Sequence, residues 1–178
     1  ALTKKLFDAN DIPNAKGYDS SVNDEPVDIG FPAIVKVNTG GSSVGVYIVD
    51  NMDEMKDAFD KAKKYDGRVV VEQFIKGREF TCGIIDGKAL PIVEIAPKEG
   101  FYDLSNKYKA GATVEICPAP ISKEKTEEIQ TITEKVFERL HLRSYARIDF
   151  MMDEDKNIYL IEINTNPGLE ISSDVIAM

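Results

Sequence analysis

Residues 145–168 read YARIDFMMDEDKNIYLIEINTNPG, and this stretch has the pattern of a β-hairpin. Polar and apolar residues alternate with period 2 over 146–152 and again over 158–165. The acidic segment 153–157 between them is rich in turn-forming residues. The sequence therefore predicts two antiparallel strands joined by a short connection.

The register of this hairpin decides which side chains share a face. With a turn centred between residues 155 and 156, Asp149 is expected opposite Glu162, and Arg147 opposite Asn164. The other face is then expected to be the core face, and it carries Ala146, Ile148, Phe150, Ile161 and Ile163.

Two carboxylates opposite each other repel, unless a cation lies between them. Asp149, Glu162 and the amide oxygen of Asn164 are the ligand types that Mg²⁺ takes, with water and phosphate in the remaining positions. The hairpin is thus a candidate metal site. The alternative is an exposed hairpin with a polar outer face and one Arg–Asp pair.

Size and charge narrow the class of protein. The chain has 178 residues, of which 43% are hydrophobic and 30% charged, as in ordinary soluble globular proteins. Its formal net charge of −9 argues against a nucleic-acid or anionic-membrane partner, because either would need a basic patch. Two cysteines without metal-ligand spacing do not make a disulfide framework and favour a cytoplasmic protein.

The order of elements predicts an α+β fold with a mainly antiparallel sheet. Strands are expected at 31–37, 46–49, 69–74, 80–85 and 88–95, with a polar connector at 14–30 and a loop at 96–113. Besides a short N-terminal helix, one helix is expected between a cap at Asp50 and Gly67, with Met55, Ala58, Phe59 and Ala62 on its buried face. Another follows Ser122, and its expected buried face is Ile129, Ile132, Val136, Phe137 and Leu140. The turn Lys76-Gly77 is the expected junction of two lobes.

The glycine-rich stretch 38–45 joins two expected strands, so it is neither a P-loop nor a dinucleotide-binding turn. Its backbone N–H groups and hydroxyls can still face an anion. Lys36, in the apolar strand before it, is expected to be a partly buried cation that needs a counter-charge. A flap over the phosphates of a nucleotide accounts for both features. A plain hairpin loop with a solvent-reaching lysine is the alternative.

Two further segments have the character of ligand sites. Residues 71–75 become polar just before the expected junction, and such junctions often bind ligands. Glu79 lies just beyond and is a candidate for binding ribose hydroxyls. The loop 101–108 combines tyrosines with a lysine, as lids often do. A charged strand end and a mobile surface loop are the respective alternatives.

Taken in order, these segments resemble the ATP-grasp part of D-alanine–D-alanine ligases over essentially the whole chain. The matching motifs are TKKLF (3–7), FPAIVK (31–36), GSSVGV (41–46), VEQFIKGREFT (71–81), GFYD with KY (100–108), CPA (117–119), ARIDF (146–150) and EINTNPG (162–168). The resemblance implies an ATP-grasp fold of two α+β lobes that clamp a nucleotide. The small lobe would be 1–75, with flap and hinge, and the large lobe 76–178, with the metal hairpin and substrate loop.

The resemblance also implies the roles of individual residues. The implied phosphate-binding residues are Lys4, Lys36, Lys107, Gly41, Ser42 and Ser43. The adenine and ribose site is implied at Glu72, Gln73, Phe74, Ile75 and Glu79. The implied ligands of two Mg²⁺ or Mn²⁺ ions are Asp149, Glu162 and Asn164. Arg147 and the N–H of Gly168 would stabilise an oxyanion, and Tyr108 and Ser173 would orient substrates.

The implied activity is the ATP-dependent joining of two D-alanines for peptidoglycan precursor synthesis. ATP phosphorylates one carboxylate, and the amine of the second amino acid attacks the acyl phosphate. The resemblance implies a cytoplasmic enzyme whose partners are ATP and D-alanine, with no nucleic acid or membrane, and it is compatible with a homodimer of the full-length protein.

The chain departs from the family after Gly168. Where the family has Pro-Gly-Met-Thr-x-x-Ser-Leu-x-Pro, this sequence reads PGLEISSDVI, so Glu170, Asp174 and Ile176 break the pattern around Ser173. The acceptor therefore stays open: D-serine or another amine, or none in a degenerate nucleotide-binding module. Both ends look cut, and the chain is expected to be a fragment without an N-terminal domain that binds Mg-ATP but does not complete a turnover.

Overall fold

The computed structural model describes residues 2–39, 44–97 and 113–167, which belong to two compact units. Unit 1 comprises 1–9 and 14–75, and unit 2 comprises 10–13 and 76–178. The short segment 10–13 belongs to unit 2 because its backbone is bonded there: the carbonyl of Pro13 accepts from the Leu160 amide at 2.8 Å. In the described parts of the chain, no helix has the length and apolar character needed to cross a bilayer.

Unit 1 is an antiparallel sheet of strand order β1-β4-β2-β3 with a helix packed on one face. Its elements are α1 (Leu2–Ala9), β1 (Gly17–Ser21), β2 (Ala33–Val37), β3 (Val46–Val49), α2 (Met52–Ala62) and β4 (Arg68–Gln73). Strand β2 alternates buried and half-buried residues, so Lys36 lies on the sheet face away from α2. The predicted face of α2 is confirmed, because Met55, Ala58, Phe59 and Ala62 are all buried in the core.

The ends of α2 differ from the prediction. The helix is capped by Asn51, whose side-chain oxygen accepts from the Glu54 amide at 3.0 Å, and not by Asp50. The Asp50 amide, one residue before the cap, instead donates to the Glu54 carboxylate at 2.9 Å. The helix ends at Ala62, five residues before Gly67, at which the sequence predicts its end.

The polar connector 14–30 contains a strand that its composition does not reveal. Strand β1 pairs with β4 over all five of its residues. Gly17 suits this close pairing, since a Cβ at that position would lie 2.1 Å from the carbonyl oxygen of Val71. This segment is a strand because it pairs with β4, and not because polar and apolar residues alternate along it.

Unit 2 is an antiparallel sheet of strand order β7-β6-β5-β8-β9 covered by one long helix. Its elements are β5 (Gly77–Ile85), β6 (Lys88–Pro97), β7 (Thr113–Ile116), α3 (Lys123–Arg139), β8 (Tyr145–Asp153) and β9 (Ile158–Asn164). The predicted turn at Lys76-Gly77 is shorter than expected, because Gly77 already pairs with Asp153. The predicted cap of α3 is confirmed: the Ser122 hydroxyl accepts from the Lys125 amide at 3.3 Å.

The buried face of α3 is narrower than predicted. Ile129, Thr133 and Val136 are fully buried, and the helix packs against β5 and β6. The other three predicted core residues are only half-buried, and they are Ile132, Phe137 and Leu140. The periodic pattern thus located the helix but overestimated how much of it the sheet covers.

The β8–β9 hairpin forms with the predicted cross-strand pairs. Asp149 pairs with Glu162, and Arg147 pairs with Asn164. The predicted turn is wrong, however, since Met152 pairs with Ile158, which centres the connection on residue 155 and not between residues 155 and 156.

A β-bulge compensates for this difference in the turn. Phe150 pairs with Leu160, whereas its neighbour Asp149 pairs with Glu162, so Ile161 is the extra residue. The prediction that Ile161 lies on the core face is wrong: its side chain is 37% exposed, whereas Phe150 is fully buried. Without the bulge, a connection centred on residue 155 would have placed Ile161, and not Glu162, opposite Asp149.

Candidate active site

The charged centre of unit 1 is a carboxylate held between two lysines. Lys36 Nζ lies 2.6 Å from Oε2 of Glu72, and Lys4 Nζ lies 3.4 Å from Oε1 of the same side chain. Lys4 also donates to the side-chain oxygen of Asn14 at 2.6 Å and to the carbonyl of Ala15. The counter-charge that the sequence required for Lys36 is therefore Glu72.

Three elements bring this cluster together. Glu72 on β4 pairs with Ile34 on β2, so Lys36, two residues further along β2, lies on the same face of the sheet within reach of a long side chain. Lys4 comes from α1, which covers this side of the cluster. All three side chains are largely buried, with 16% of Glu72 and 11% of Lys4 exposed.

The electrostatics favour binding of an anion. Burial raises the pKa of Glu72, but the attraction and hydrogen bonds of Lys36 and Lys4 outweigh it and hold the pKa below its ordinary value. Glu72 is thus ionised at neutral pH, and two lysines share its single negative charge. The surplus positive charge can be neutralised by a phosphate group, since ammonium groups bind phosphates as point charges.

The predicted adenine and ribose residues lie in both units. Gln73 is exposed and Phe74 half-buried, and the amides of both are bonded within unit 1. Ile75 is buried at the end of unit 1, and Glu79 is buried in β5 of unit 2. Their contacts to a base or ribose stay predictions, and the Glu72 carboxylate faces the two lysines.

The charged centre of unit 2 is Asp149, which is 8% exposed. Within the described residues, four hydrogen bonds reach its carboxylate. Oδ1 accepts from Thr81 Oγ1 at 2.7 Å and from Arg147 Nε at 3.0 Å. Oδ2 accepts from Arg147 Nη2 at 3.0 Å and from Asn164 Nδ2 at 3.1 Å. The arginine thus binds the carboxylate in a bidentate manner through Nε and Nη2.

Strand register explains this arrangement. Arg147 and Asp149 are two residues apart on β8 and so share a face. Asn164 on β9 lies opposite Arg147, and Thr81 on β5 lies opposite Asp149. Because β8 is flanked on both sides, the carboxylate receives donors from both neighbouring strands and is buried.

Sequence reasoning missed Thr81. Its partner strands β5 and β8 are separated in the chain by β6, β7 and α3, so no local pattern links residue 81 to residue 149. The Arg–Asp pair, which was the alternative to a metal site, is present, and it involves the same carboxylate as the candidate metal ligand.

The donor set of this face fits Mg²⁺ better than a transition metal. In residues 2–39, 44–97 and 113–167, no cluster contains three or more His, Cys, Asp or Glu side chains. Asp149 and the exposed Glu162 are two opposed carboxylates, and Asn164 adds an amide. Mg²⁺ is typically bound by one or two carboxylates together with phosphates and water, so this set suffices. Asn164 would have to present its amide oxygen in place of Nδ2.

Seven predicted site residues lie outside the described residues. They are Gly41, Ser42, Ser43, Lys107, Tyr108, Gly168 and Ser173. The departure from the family at Glu170, Asp174 and Ile176 also lies there. Their predicted roles remain predictions.

Comparison with known families settles what kind of chain carries these two centres. The family described as D-ala D-ala ligase C-terminus matches residues 8–178. The chain belongs to this family. The resemblance that the motifs predicted is thereby confirmed.

Curated relatives agree with the family assignment. A D-alanine–D-alanine ligase of Hydrogenovibrio crunogenus is 39% identical over 145 residues, which are 82% of this chain and 46% of that relative. D-alanine–D-alanine ligase B of Clostridium perfringens is 38% identical over 177 residues, which are 97% of this chain and 58% of that relative. The chain thus spans about half the length of the curated relatives that it matches.

Solved structures confirm the α+β, ATP-grasp fold expected for this family. The D-alanyl-alanine synthetase A of Vibrio cholerae matches with a TM-score of 0.83 at 32% identity, over 97% of this chain and 56% of that one. The D-alanine–D-alanine ligase of Bacillus anthracis, complexed with ATP, matches with a TM-score of 0.80 at 32% identity, over 97% of this chain and 57% of that one.

Proposed function

We propose that this chain is the nucleotide- and metal-binding part of an ATP-dependent ligase that joins two D-alanines for peptidoglycan precursor synthesis. The observation that carries the proposal is the β8–β9 face: two carboxylates opposed across the hairpin, with Arg147 and Asn164 directly beside them. Two opposed carboxylates repel each other, and a divalent cation bound between them would remove this repulsion. Membership of the family and the relative that is complexed with ATP support the same conclusion.

In unit 2, Asp149, Glu162 and Asn164 would hold Mg²⁺ or Mn²⁺. The bound metal would supply charge neutralisation at the phosphates of the nucleotide. Arg147 would donate hydrogen bonds to the oxyanion of the tetrahedral intermediate, together with the N–H of Gly168. The bonds from Nε and Nη2 of Arg147 to Asp149 fix the plane of the guanidinium group, which carries five N–H donors in all.

In unit 1, Lys4 and Lys36 would bind phosphate oxygens of ATP, and Glu72 would hold both ammonium groups in place. Lys107 and the flap residues Ser42 and Ser43 would add further donors. The transferred phosphoryl group needs positioning and charge neutralisation more than covalent chemistry, and these residues supply both.

The reaction assigned by this proposal has two steps. The γ-phosphoryl group of ATP passes to the carboxylate of the first D-alanine and gives an acyl phosphate and ADP. The amine of the second D-alanine attacks the acyl carbon, and the tetrahedral intermediate collapses with loss of phosphate. Tyr108 and Ser173 would orient the two amino acids.

Thermal unfolding of this chain tests the nucleotide site. We expect the melting temperature to rise with ATP and Mg²⁺ together and much less with either alone. A ligand present at one hundred times its dissociation constant stabilises the folded state by about 2.7 kcal/mol. The same melting temperature without ligand, with ATP alone, with Mg²⁺ alone and with both together would refute Mg-ATP binding.

The ligase activity needs its own test on the longer protein that contains this chain. Phosphate release that depends on D-alanine would support the reaction, and D-serine and D-lactate in place of the second substrate would identify the acceptor. ATP binding without any amino-acid-dependent phosphate release would instead identify a nucleotide-binding module without ligase activity.

A further inference from the structure

The hydroxyl of Thr81 is the most deeply buried of the groups that bind Asp149. Thr81 is fully buried in β5, directly opposite Asp149 in the β5–β8 ladder. Its Oγ1 lies 2.7 Å from Oδ1 of Asp149, which is the shortest of the four bonds to this carboxylate within the described residues. Oγ1 also lies 3.5 Å from the carbonyl of Ile148, at the limit of hydrogen-bonding distance.

Arg147 bridges the two oxygens of Asp149, and the remaining donors divide between them. Oδ1 accepts from Thr81, whereas Oδ2 accepts from Asn164, another candidate metal ligand on this face. The threonine bond therefore fixes Oδ1 toward β5 and leaves Oδ2 on the side of Asn164. Rotation of the carboxylate about its Cβ–Cγ bond would break this division.

Thr81 differs from the other donors in how easily it can be exchanged. The Arg147 side chain is 23% exposed, and Asn164 is half-buried at the end of β9. Both can turn toward solvent or a ligand. Thr81 is β-branched, which restricts its χ1 angle, and it is fully buried, so its hydroxyl can remain bound while the other partners change.

We propose that Thr81 is a positioning residue that orients the Asp149 carboxylate, so that Oδ2 is presented for coordination of a divalent cation. This assignment rests on the proposed function of Asp149 as a metal ligand. Residues that hydrogen-bond to metal ligands typically contribute one to two orders of magnitude to metal affinity, because they fix the ligand's orientation.

The test is a titration of this chain with Mn²⁺ alone, in which the EPR signal of unbound Mn²⁺ gives the dissociation constant. Thr81→Val keeps the shape of the side chain but removes the hydroxyl, and we expect Mn²⁺ to bind about tenfold more weakly. Thr81→Ser keeps the hydroxyl and should restore the affinity of the parent chain.

Thr133→Val is the matched control. Thr133 is also fully buried in unit 2, and its hydroxyl donates to the Ile129 carbonyl at 2.8 Å within α3. Its substitution removes a buried hydroxyl that does not contact Asp149. We expect its Mn²⁺ affinity to equal that of the parent, and the unfolding midpoint of each variant reports any general loss of stability.

The outcomes separate this assignment from the function on which it rests. Mn²⁺ binding that is lost in Asp149→Asn but unchanged in Thr81→Val would overturn the role of Thr81 alone. Equal weakening by Thr81→Val and Thr133→Val would also overturn it, because the effect would then be one of stability. If the parent chain shows no Mn²⁺ binding that depends on Asp149, the metal site and the role of Thr81 are both wrong.

Discussion

Glu72 in unit 1 and Asp149 in unit 2 are both largely buried carboxylates surrounded by donors, but the two are held in different ways. Glu72 in unit 1 is bound by two lysines, which are flexible side chains from α1 and β2. Asp149 in unit 2 is bound by the planar arginine of its own strand and by side chains of the two neighbouring strands. The first cluster depends on long side chains and the second on strand register.

The difference indicates what each cluster can do. Lysines are point charges on flexible stems and can turn from a carboxylate to a phosphate without movement of the backbone. Asp149 lies directly opposite the fully buried Thr81 in the β5–β8 ladder, which suits a ligand that must be held in one orientation. Unit 1 therefore has the properties of an exchangeable anion site, and unit 2 those of a preorganised cation site.

The largest effect is expected from Asp149→Asn. The variant keeps the size of the side chain but removes its charge, so Mn²⁺ affinity of this chain should fall by about 100-fold or more, equivalent to ~2.7 kcal/mol. The titration that tests Thr81 also measures this loss. Asp153→Asn is the control, because Asp153 ends the same strand and its carboxylate accepts hydrogen bonds from Asn157 and Tyr159. Equal affinity of parent and Asp149→Asn would contradict the cation site.

Glu72→Gln should lower the stability of unit 1. The two lysines would lose their shared counter-charge, and we expect the free energy of unfolding at pH 7 to fall by about 2 kcal/mol. The pKa of Glu72 is lower in the folded state than its ordinary value of 4.5. The contribution is therefore complete above that pH and is lost as the pH falls through the folded-state pKa.

Denaturant unfolding of the parent and Glu72→Gln between pH 7 and pH 3 measures this dependence. The difference between the two curves should shrink as the pH falls below about 4.5. Glu25→Gln, at an exposed position of the same unit, should unfold like the parent. A difference that grows toward low pH would mean that the ion pairs do not stabilise unit 1.

Lys4→Ala tests whether the lysines can exchange their carboxylate for a phosphate. Loss of one charge-assisted bond should weaken ATP binding about tenfold, equivalent to ~1.4 kcal/mol. Lys5→Ala is the matched control, since the neighbouring Lys5 side chain is 67% exposed. Calorimetry measures the affinity for ATP and for adenosine, which lacks the phosphates, and so separates binding of the phosphates from binding of the nucleoside. Equal losses for ATP and adenosine would show that Lys4 does not act on the phosphates.

The smallest effect is expected at Ile161, the bulged residue beside Glu162. Because its side chain is largely outside the core, Ile161→Thr should change the free energy of unfolding by about 0.5 kcal/mol or less. Ile148→Thr, at a fully buried position of β8, should cost several times more. Denaturant unfolding of both variants compares them. Similar losses would place Ile161 in the core and contradict the bulge.

The sequence determined the local features of both clusters. Alternation along residues 146–152 and 158–165, with a turn assumed between residues 155 and 156, predicted the strand pairs Asp149–Glu162 and Arg147–Asn164. The pairs are right because the bulge at Ile161 offsets the difference in the turn. The position of Lys36 inside an apolar strand predicted that it needs a counter-charge, since burial of an unpaired ammonium group is unfavourable. The family motifs were read from the same local patterns.

Only the tertiary structure decided which distant residues complete the clusters. Glu72 reaches Lys36 because β4 pairs with β2, and Thr81 reaches Asp149 because β5 pairs with β8; neither pair of strands is consecutive in the chain. The bulge at Ile161 likewise depends on how both faces of the hairpin pack. Side-chain periodicity fixes which residues share a face of one strand, but the order of strands in a sheet follows from the burial of whole strands and helices against each other.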